Sequence, residues 1–157
     1  MTSLLLRNIL FTILQPGIVA GLIPYLLVKD QLKTTFSSPF HFYQWIALVI
    51  IISGIAILLY CIYHFAKYGR GTLSPADPTK KLVTKGLYRY SRNPMYLGVL
   101  LVLLGEMIFM RSFMLGAYLF LVTVLFLLYV VYFEERRLQK SFGEDYITYK
   151  KKVKRWI

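Results

Sequence analysis

The chain has 157 residues, 57% of them hydrophobic, with a formal net charge of +12 and a mean hydropathy of +0.57. That pairing excludes an ordinary soluble domain, which carries less apolar weight and more charge, and a disordered basic tail. It also argues against nucleic acid as the partner: a nucleic-acid binder has no use for apolar runs of about twenty residues, so the anionic partner expected is a membrane surface.

Crossing a hydrocarbon core of about 30 Å takes roughly 20 apolar helical residues, and residues 9–28 supply the first such run. Pro16, Gly17 and Pro24 inside it predict a kinked helix whose freed carbonyls face protein rather than lipid. Residues 42–66 make a second run with aromatic residues at both ends, where amphipathic rings favour the headgroup level. The third, 94–110, is short, and only Arg111 and Ser112 separate it from the fourth, 113–133, so these two form a tight hairpin. Between the second and third runs, the stretch 67–93 contains Gly69, Gly71, Pro75 and Pro78 and is long enough to act as a lid. In the tail, 134–157, Ser141-x-x-Glu144 reads as a capping box, and Phe142, Tyr146, Tyr149, Val153 and Trp156 recur at helical spacing. With Lys150, Lys151, Lys152, Lys154 and Arg155 this makes an amphipathic basic helix, suited to lie on anionic lipid or to roof a site.

The fold expected is therefore one all-α integral membrane domain, with four transmembrane helices and a C-terminal interfacial helix. Sixteen Lys and Arg fall on the side of the termini and the 67–93 loop and three, Lys29, Lys33 and Arg111, on the other, which makes both termini cytoplasmic. The first apolar stretch is too long for a signal-peptide core and lacks a small-residue cleavage site, so a cleaved signal is not expected. Cys61, the one cysteine, cannot form an intramolecular disulfide.

Two polar stretches, 84–98 and 134–157, should meet, because the third span starts where the fourth ends. Asn93-Pro94 reads as a helix start, with Asn93 as N-cap and free amides in the next turn that suit a carboxylate or phosphate. Gly98 would let a ligand approach the backbone. The plainer reading is a capped helix with Arg89 and Arg92 as cytoplasmic anchors. Glu134 and Glu135 end a long apolar run against the helix dipole, which favours cations there. They could bind a ligand's amine or ribose hydroxyls, or pair with Arg136, Arg137 or the basic loop. Glu106, the acid inside a span, is expected to pair with Arg111.

Other chemistries lack their residues. Gly69-Arg-Gly71 has no third glycine and no following helix for a dinucleotide fingerprint, and no phosphate-binding loop or Gly-x-Ser-x-Gly elbow occurs. Cys61 and His64, with only His41 elsewhere, are too few for a metal centre, so no metal is expected.

The run Gly86-Leu-Tyr-Arg-Tyr-Ser-Arg-Asn-Pro-Met-Tyr-Leu-Gly98, then a hairpin, then Glu134-Glu135-x-x-Leu138-x-x-x-Phe142-Gly143-Glu144-x-Tyr146-x-x-Tyr149, resembles the isoprenylcysteine carboxyl methyltransferase and phospholipid methyltransferase superfamily of integral membrane enzymes. The resemblance covers residues 68–156, and Gln15 to Pro24 is similar to the first span of small bacterial members, which implies a bacterial inner membrane. It implies S-adenosylmethionine as methyl donor and S-adenosylhomocysteine as product. The donor would bind on the cytoplasmic side among the start of the third span, the end of the fourth and the C-terminal helix. Tyr88, Arg92, Asn93, Pro94, Tyr96 and Gly98 fall on the cofactor motif and Glu134 and Glu135 on the paired acids, with Glu135 and Tyr96 nearest the transferred methyl. Asn93 stands where this motif commonly has histidine, and there is no Arg or Lys between Arg111 and Arg136 to hold a prenylcysteine carboxylate. The acceptor implied is a small amphiphile or lipid. Two rival classes are a nicotinamide-dependent membrane reductase of sterol type, which is usually much longer, and a catalytically silent membrane adaptor.

Overall fold

The computed structural model describes residues 14–64, 67 and 82–156, which are helical and contain no strand. Residues 9–13 of the expected first span, and most of the expected lid, lie outside the described residues. The helices are α1 (Ile23–Phe36, entered through a π-helical turn, Ile18–Leu22), α2 (Phe42–His64), α3 (Pro94–Met110), α4 (Phe113–Tyr129) and α5 (Glu135–Lys152).

The kink expected in the first helix takes the form of the π turn, in which Ile23 N–H bonds to Ile18 O. Pro24 has no N–H to offer Val19, and the Tyr118 hydroxyl of α4 donates to the Val19 carbonyl at 2.9 Å instead. The freed carbonyl thus faces protein, as the prolines predict. The helix then runs on to Phe36, two turns beyond the apolar run that ends at Val28. Apolar content marks what lipid can cover, whereas a helix continues until something stops it; here that is Ser37-Ser38-Pro39, with Ser37 N–H bonding back to Lys33 O at 3.0 Å.

Helices α2 and α3 pack antiparallel through small residues. A Cβ placed on Gly54 would lie 2.7 Å from Gly98 O, one on Gly98 3.1 Å from Gly54 O, and one on Gly105 2.9 Å from Ala47 O. The backbones therefore touch where side chains are missing, the arrangement small residues permit between membrane helices. Gly98, expected to admit a ligand, is filled from behind by α2.

The α3–α4 hairpin turns at Arg111 and Ser112 as expected. Arg111 is left-handed at φ 49°, and the Ser112 hydroxyl accepts from Leu115 N–H at 3.4 Å to start α4. The expected Glu106–Arg111 pair is not formed. The left-handed turn takes Arg111 out of helical phase, its guanidinium lies 5.4 Å from the Tyr43 ring centroid, and Glu106 Oε2 is buried without a hydrogen-bond partner. Leu58, Val99, Val102, Leu103 and Val122 form the core shared by α2, α3 and α4, with Val19 and Ala20 packed on it.

Helix α4 passes through a second π segment, Val130–Glu134, into α5 as one helical run, Phe113–Lys152. The break in α5 comes at Gly143 (φ 51°, ψ −125°), not at Ser141 as the capping-box reading has it, because only glycine takes that backbone angle at little cost. Phe42–His64 and Phe113–Lys152 are long and apolar enough to cross a membrane, and α3 is a shorter apolar helix. Their outer faces stay uncovered: Phe42 is 81% exposed, Phe113 92% and Phe120 72%, with Val49, Ile52, Leu59, Leu121 and Leu125 exposed among them. A contiguous apolar face of this kind marks a membrane or partner surface.

Candidate active site

The polar groups gather at one end of the bundle, where α2 ends, α3 begins and α4 passes into α5. Gly86 (φ 66°) opens a short 3₁₀ helix, Gly86–Arg89, under Tyr60 and His64, so close that a Cβ would lie 2.6 Å from Tyr60 Oη. This turn drives the Tyr88 side chain into a pocket with Cys61 and Val83, where it shares a hydrogen bond with Cys61. The Tyr149 hydroxyl donates to the Tyr88 carbonyl at 2.6 Å, and burial pushes the Tyr88 phenol well above its ordinary range.

Asn93 occupies the N-cap position of α3 with Pro94 at the first helical position, but the Asn93 side chain does not cap. Its Nδ2 donates to Arg155 O at 2.9 Å, while Asn93 N–H donates to Ser91 Oγ at 3.1 Å and Ser91 Oγ in turn lies 3.4 Å from Arg155 O. The next amide back, Arg92 N–H, donates to Lys154 O at 3.0 Å. A returning segment after α5 therefore fixes the Asn93 side chain through its Nδ2 donor, and its Oδ1 does not accept from the first turn as a local cap would.

Glu135 is 6% exposed and takes three cations: Arg155 Nε at 2.7 Å, Lys150 Nζ at 3.0 Å and Arg92 Nη1 at 3.1 Å. Burial alone would raise its carboxyl, but hydrogen bonds from Arg155 and Lys150 and the Arg92 charge hold it at about 2. The Arg92 side chain is as buried as that of Glu135; Nη1 also donates to Tyr146 Oη at 3.2 Å, and Nε is buried with no partner. Glu134 has the opposite character. Burial raises its carboxyl, against the lowering effects of the Tyr96 hydrogen bond and the Arg137 charge. Tyr96 Oη donates to Glu134 Oε2 at 2.7 Å, and its ring lies 4.7 Å from that of Phe126.

Of the residues expected at the site, Arg92, Asn93, Pro94, Tyr96, Glu134 and Glu135 are thus brought to one end of the bundle. Gly98 is turned toward α2, and Tyr88 toward Cys61.

The model of the phospholipid methyltransferase family matches residues 42–145. The chain belongs to that family. No curated protein and no solved structure matches it. The family is one of membrane methyltransferases, consistent with two helices able to cross a bilayer. The match takes in α2, α3, α4, the Arg92 to Gly98 motif and both acids; it ends before Tyr146, Lys150 and Arg155.

Those last residues are the ones that reading the sequence missed. Tyr146 and Lys150 are four apart and share a helix face, a spacing that pairs side chains, but nothing local joins them to Glu135. Arg155 reaches Glu135 only because Val153 leaves the helix at φ −122°, ψ 130° and turns the chain back.

Proposed function

We propose that this methyltransferase takes its methyl group from S-adenosylmethionine and passes it to a small amphiphilic or lipid acceptor at the cytoplasmic membrane face. The observation that carries this reading is the Arg92 guanidinium, its side chain 8% exposed and its Nε buried without a partner, set one turn before Tyr96, whose hydroxyl donates to the half-buried Glu134. The donor's amino-acid end has a carboxylate and an ammonium, and this site offers one group of each sign. Arg92, Lys150 and Arg155 outnumber Glu135, so the cluster has positive charge to spare for a carboxylate. The free amides after Pro94 add to it. Glu134, one oxygen of which is taken by Tyr96, suits the ammonium, the sulfonium or the ribose hydroxyls; a cation beside it would reverse the rise that burial causes. The residues present therefore fit the donor.

When bound, S-adenosylmethionine supplies an electrophilic methyl on a sulfonium, and its transfer is an in-line displacement that needs alignment and exclusion of water. Tyr96 and Phe126 give the apolar wall beside Glu134. Glu135 acts through Arg92, holding the guanidinium in place, and is a positioning residue in this scheme. The acceptor enters sideways from the bilayer between helices; a prenylcysteine-like carboxylate, a thiol and a phospholipid amine are the classes to try. The sixteen-to-three division of basic residues supports a cytoplasmic side for both termini of the four apolar runs, and the likeness of Gln15 to Pro24 to small bacterial members supports a bacterial inner membrane. The test is transfer of a tritiated methyl from S-adenosylmethionine by the purified protein in detergent, with each acceptor class offered in turn. Label in any one of them, abolished by Tyr96→Phe with Glu134→Gln, is the expected result; no transfer to any class by folded protein would overturn it.

A further inference from the structure

The segment 153–156 has two faces with different partners. Its main chain is stitched to the motif before α3 through Lys154 O and Arg155 O. The side chains of Lys151, Lys152 and Lys154 are exposed and make no ion pair among the described residues, whereas Lys150 and Arg155 turn inward onto Glu135. Lys154 thus holds the site by its carbonyl and offers its ammonium outward. From Arg136 to Lys154, leaving aside Lys150, the exposed charges are six cations and two acids, Glu144 and Asp145.

The level of this surface is set by what precedes it. Helix α4 arrives with Leu128, Tyr132 and Phe133 exposed, and the Arg136 guanidinium lies 5.9 Å from the Tyr132 ring centroid. An exposed apolar helix that ends in tyrosine and arginine ends at the headgroup layer. The kink at Gly143 lies in open space, with nothing within 4 Å of a Cβ there, so it serves the direction of the chain and not packing. It redirects the second half of α5, which carries Lys151 and Lys152.

We propose that 153–156 is a clasp set by anionic phospholipid: Lys151, Lys152 and Lys154 dock on the headgroups, and docking holds the backbone of the same segment against Arg92 and Asn93. The site then closes fully only on a negatively charged bilayer. Asn93 is the latch on the protein side. This deepens the function proposed above and rests on it only for the ligand used in the second readout.

The test uses full-length protein with Trp45→Phe, leaving Trp156 in the clasp as the sole tryptophan. It is reconstituted in vesicles of phosphatidylcholine alone, or with about 30% phosphatidylglycerol, enough for a strong surface potential. Anionic lipid should shift Trp156 emission to the blue and tighten S-adenosylhomocysteine binding by about threefold or more, and high salt should reverse both. The combined variant Lys151→Gln, Lys152→Gln, Lys154→Gln should lose both responses while matching the parent in neutral vesicles. Trp156 emission indifferent to lipid charge would overturn the docking. A Trp156 response with equal S-adenosylhomocysteine affinity in both vesicles would overturn the coupling. A Trp156 response with no S-adenosylhomocysteine binding in either would support the docking and overturn the methyl-donor reading. If a short oligonucleotide gave the same emission shift in neutral vesicles, the surface would be a nucleic-acid site and the lipid clasp would fail.

Discussion

Helix α3 is held along its length and at its start by opposite materials. Along its length, Gly98 and Gly105 meet Gly54 and Ala47 backbone to backbone, with no polar side chain involved. At its start, Arg92 and Asn93 are fixed by charged and amide contacts to residues 43 to 62 positions away in sequence. The seam tolerates no added atoms, and the charged cluster tolerates no missing ones. Small residues place α3 in depth and rotation, and the cluster then assembles on a start already fixed.

The largest expected effect breaks the cluster. Glu135→Gln leaves Arg92 buried without its counter-charge, a loss of about 3–5 kcal/mol for a broken buried pair. Thermal unfolding in detergent should show a large drop, and S-adenosylhomocysteine affinity should fall at least tenfold, about 1.4 kcal/mol or more. Glu134→Gln should cost no stability, since Glu134 is the acid that burial disfavours. Equal losses from both variants would dissolve the distinction between the two acids.

The pH dependence separates the same pair by sign. Glu135, held at about 2, adds stability that is complete above the ordinary glutamate range and is lost as pH falls toward about 2. Glu134, raised by burial, does the reverse: its protonated form suits the fold, and stability is lost as pH rises above the ordinary range. Melting temperatures of the parent and of Glu134→Gln across pH should therefore diverge as pH rises above the ordinary glutamate range, with the variant the more stable. Parallel curves would contradict this.

Gly54→Ala tests the seam. Its methyl would lie 2.7 Å from the Gly98 carbonyl and force the helices apart, at about 1–3 kcal/mol. Gly116→Ala is the control, since its nearest neighbour is the flexible Met107 Sδ at 3.4 Å; there the gain in helix propensity, up to about 1 kcal/mol, should prevail. Unfolding midpoints of the two should move in opposite directions. The smallest effect belongs to Tyr96→Phe. It removes one hydrogen bond to Glu134, about 1 kcal/mol, and should leave the unfolding midpoint within a few degrees of the parent while S-adenosylhomocysteine binding weakens several-fold. Unchanged binding would take Tyr96 out of the site.

How much of this the sequence reveals depends on the range of the interactions. The apolar helices α2, α3 and α4, the hairpin at Arg111 and Ser112, and the protein-facing carbonyl below Pro24 are local consequences of hydropathy and proline chemistry, and they could be read. The meeting of 84–98 with 134–157 follows from the hairpin and could also be read. The role of Gly98 could not, because a glycine that admits a ligand and one that admits a neighbouring helix look alike until Gly54 is known to lie opposite. Nor could the partner of Asn93: an asparagine before a proline is a natural cap, and only the return of the chain after Val153 brings the Arg155 carbonyl to which its Nδ2 donates. Glu106 misled for a similar reason, since spacing along α3 is no guide once Arg111 goes left-handed.

The most direct measurement is calorimetric titration of the purified protein in detergent with S-adenosylhomocysteine, with NADPH as the comparison ligand. One-to-one binding in the micromolar range for the first and none for the second is the expected result. Binding of NADPH would point to a reductase, and no binding of either by folded protein to a silent adaptor; both would contradict the account given for Arg92 and Glu134.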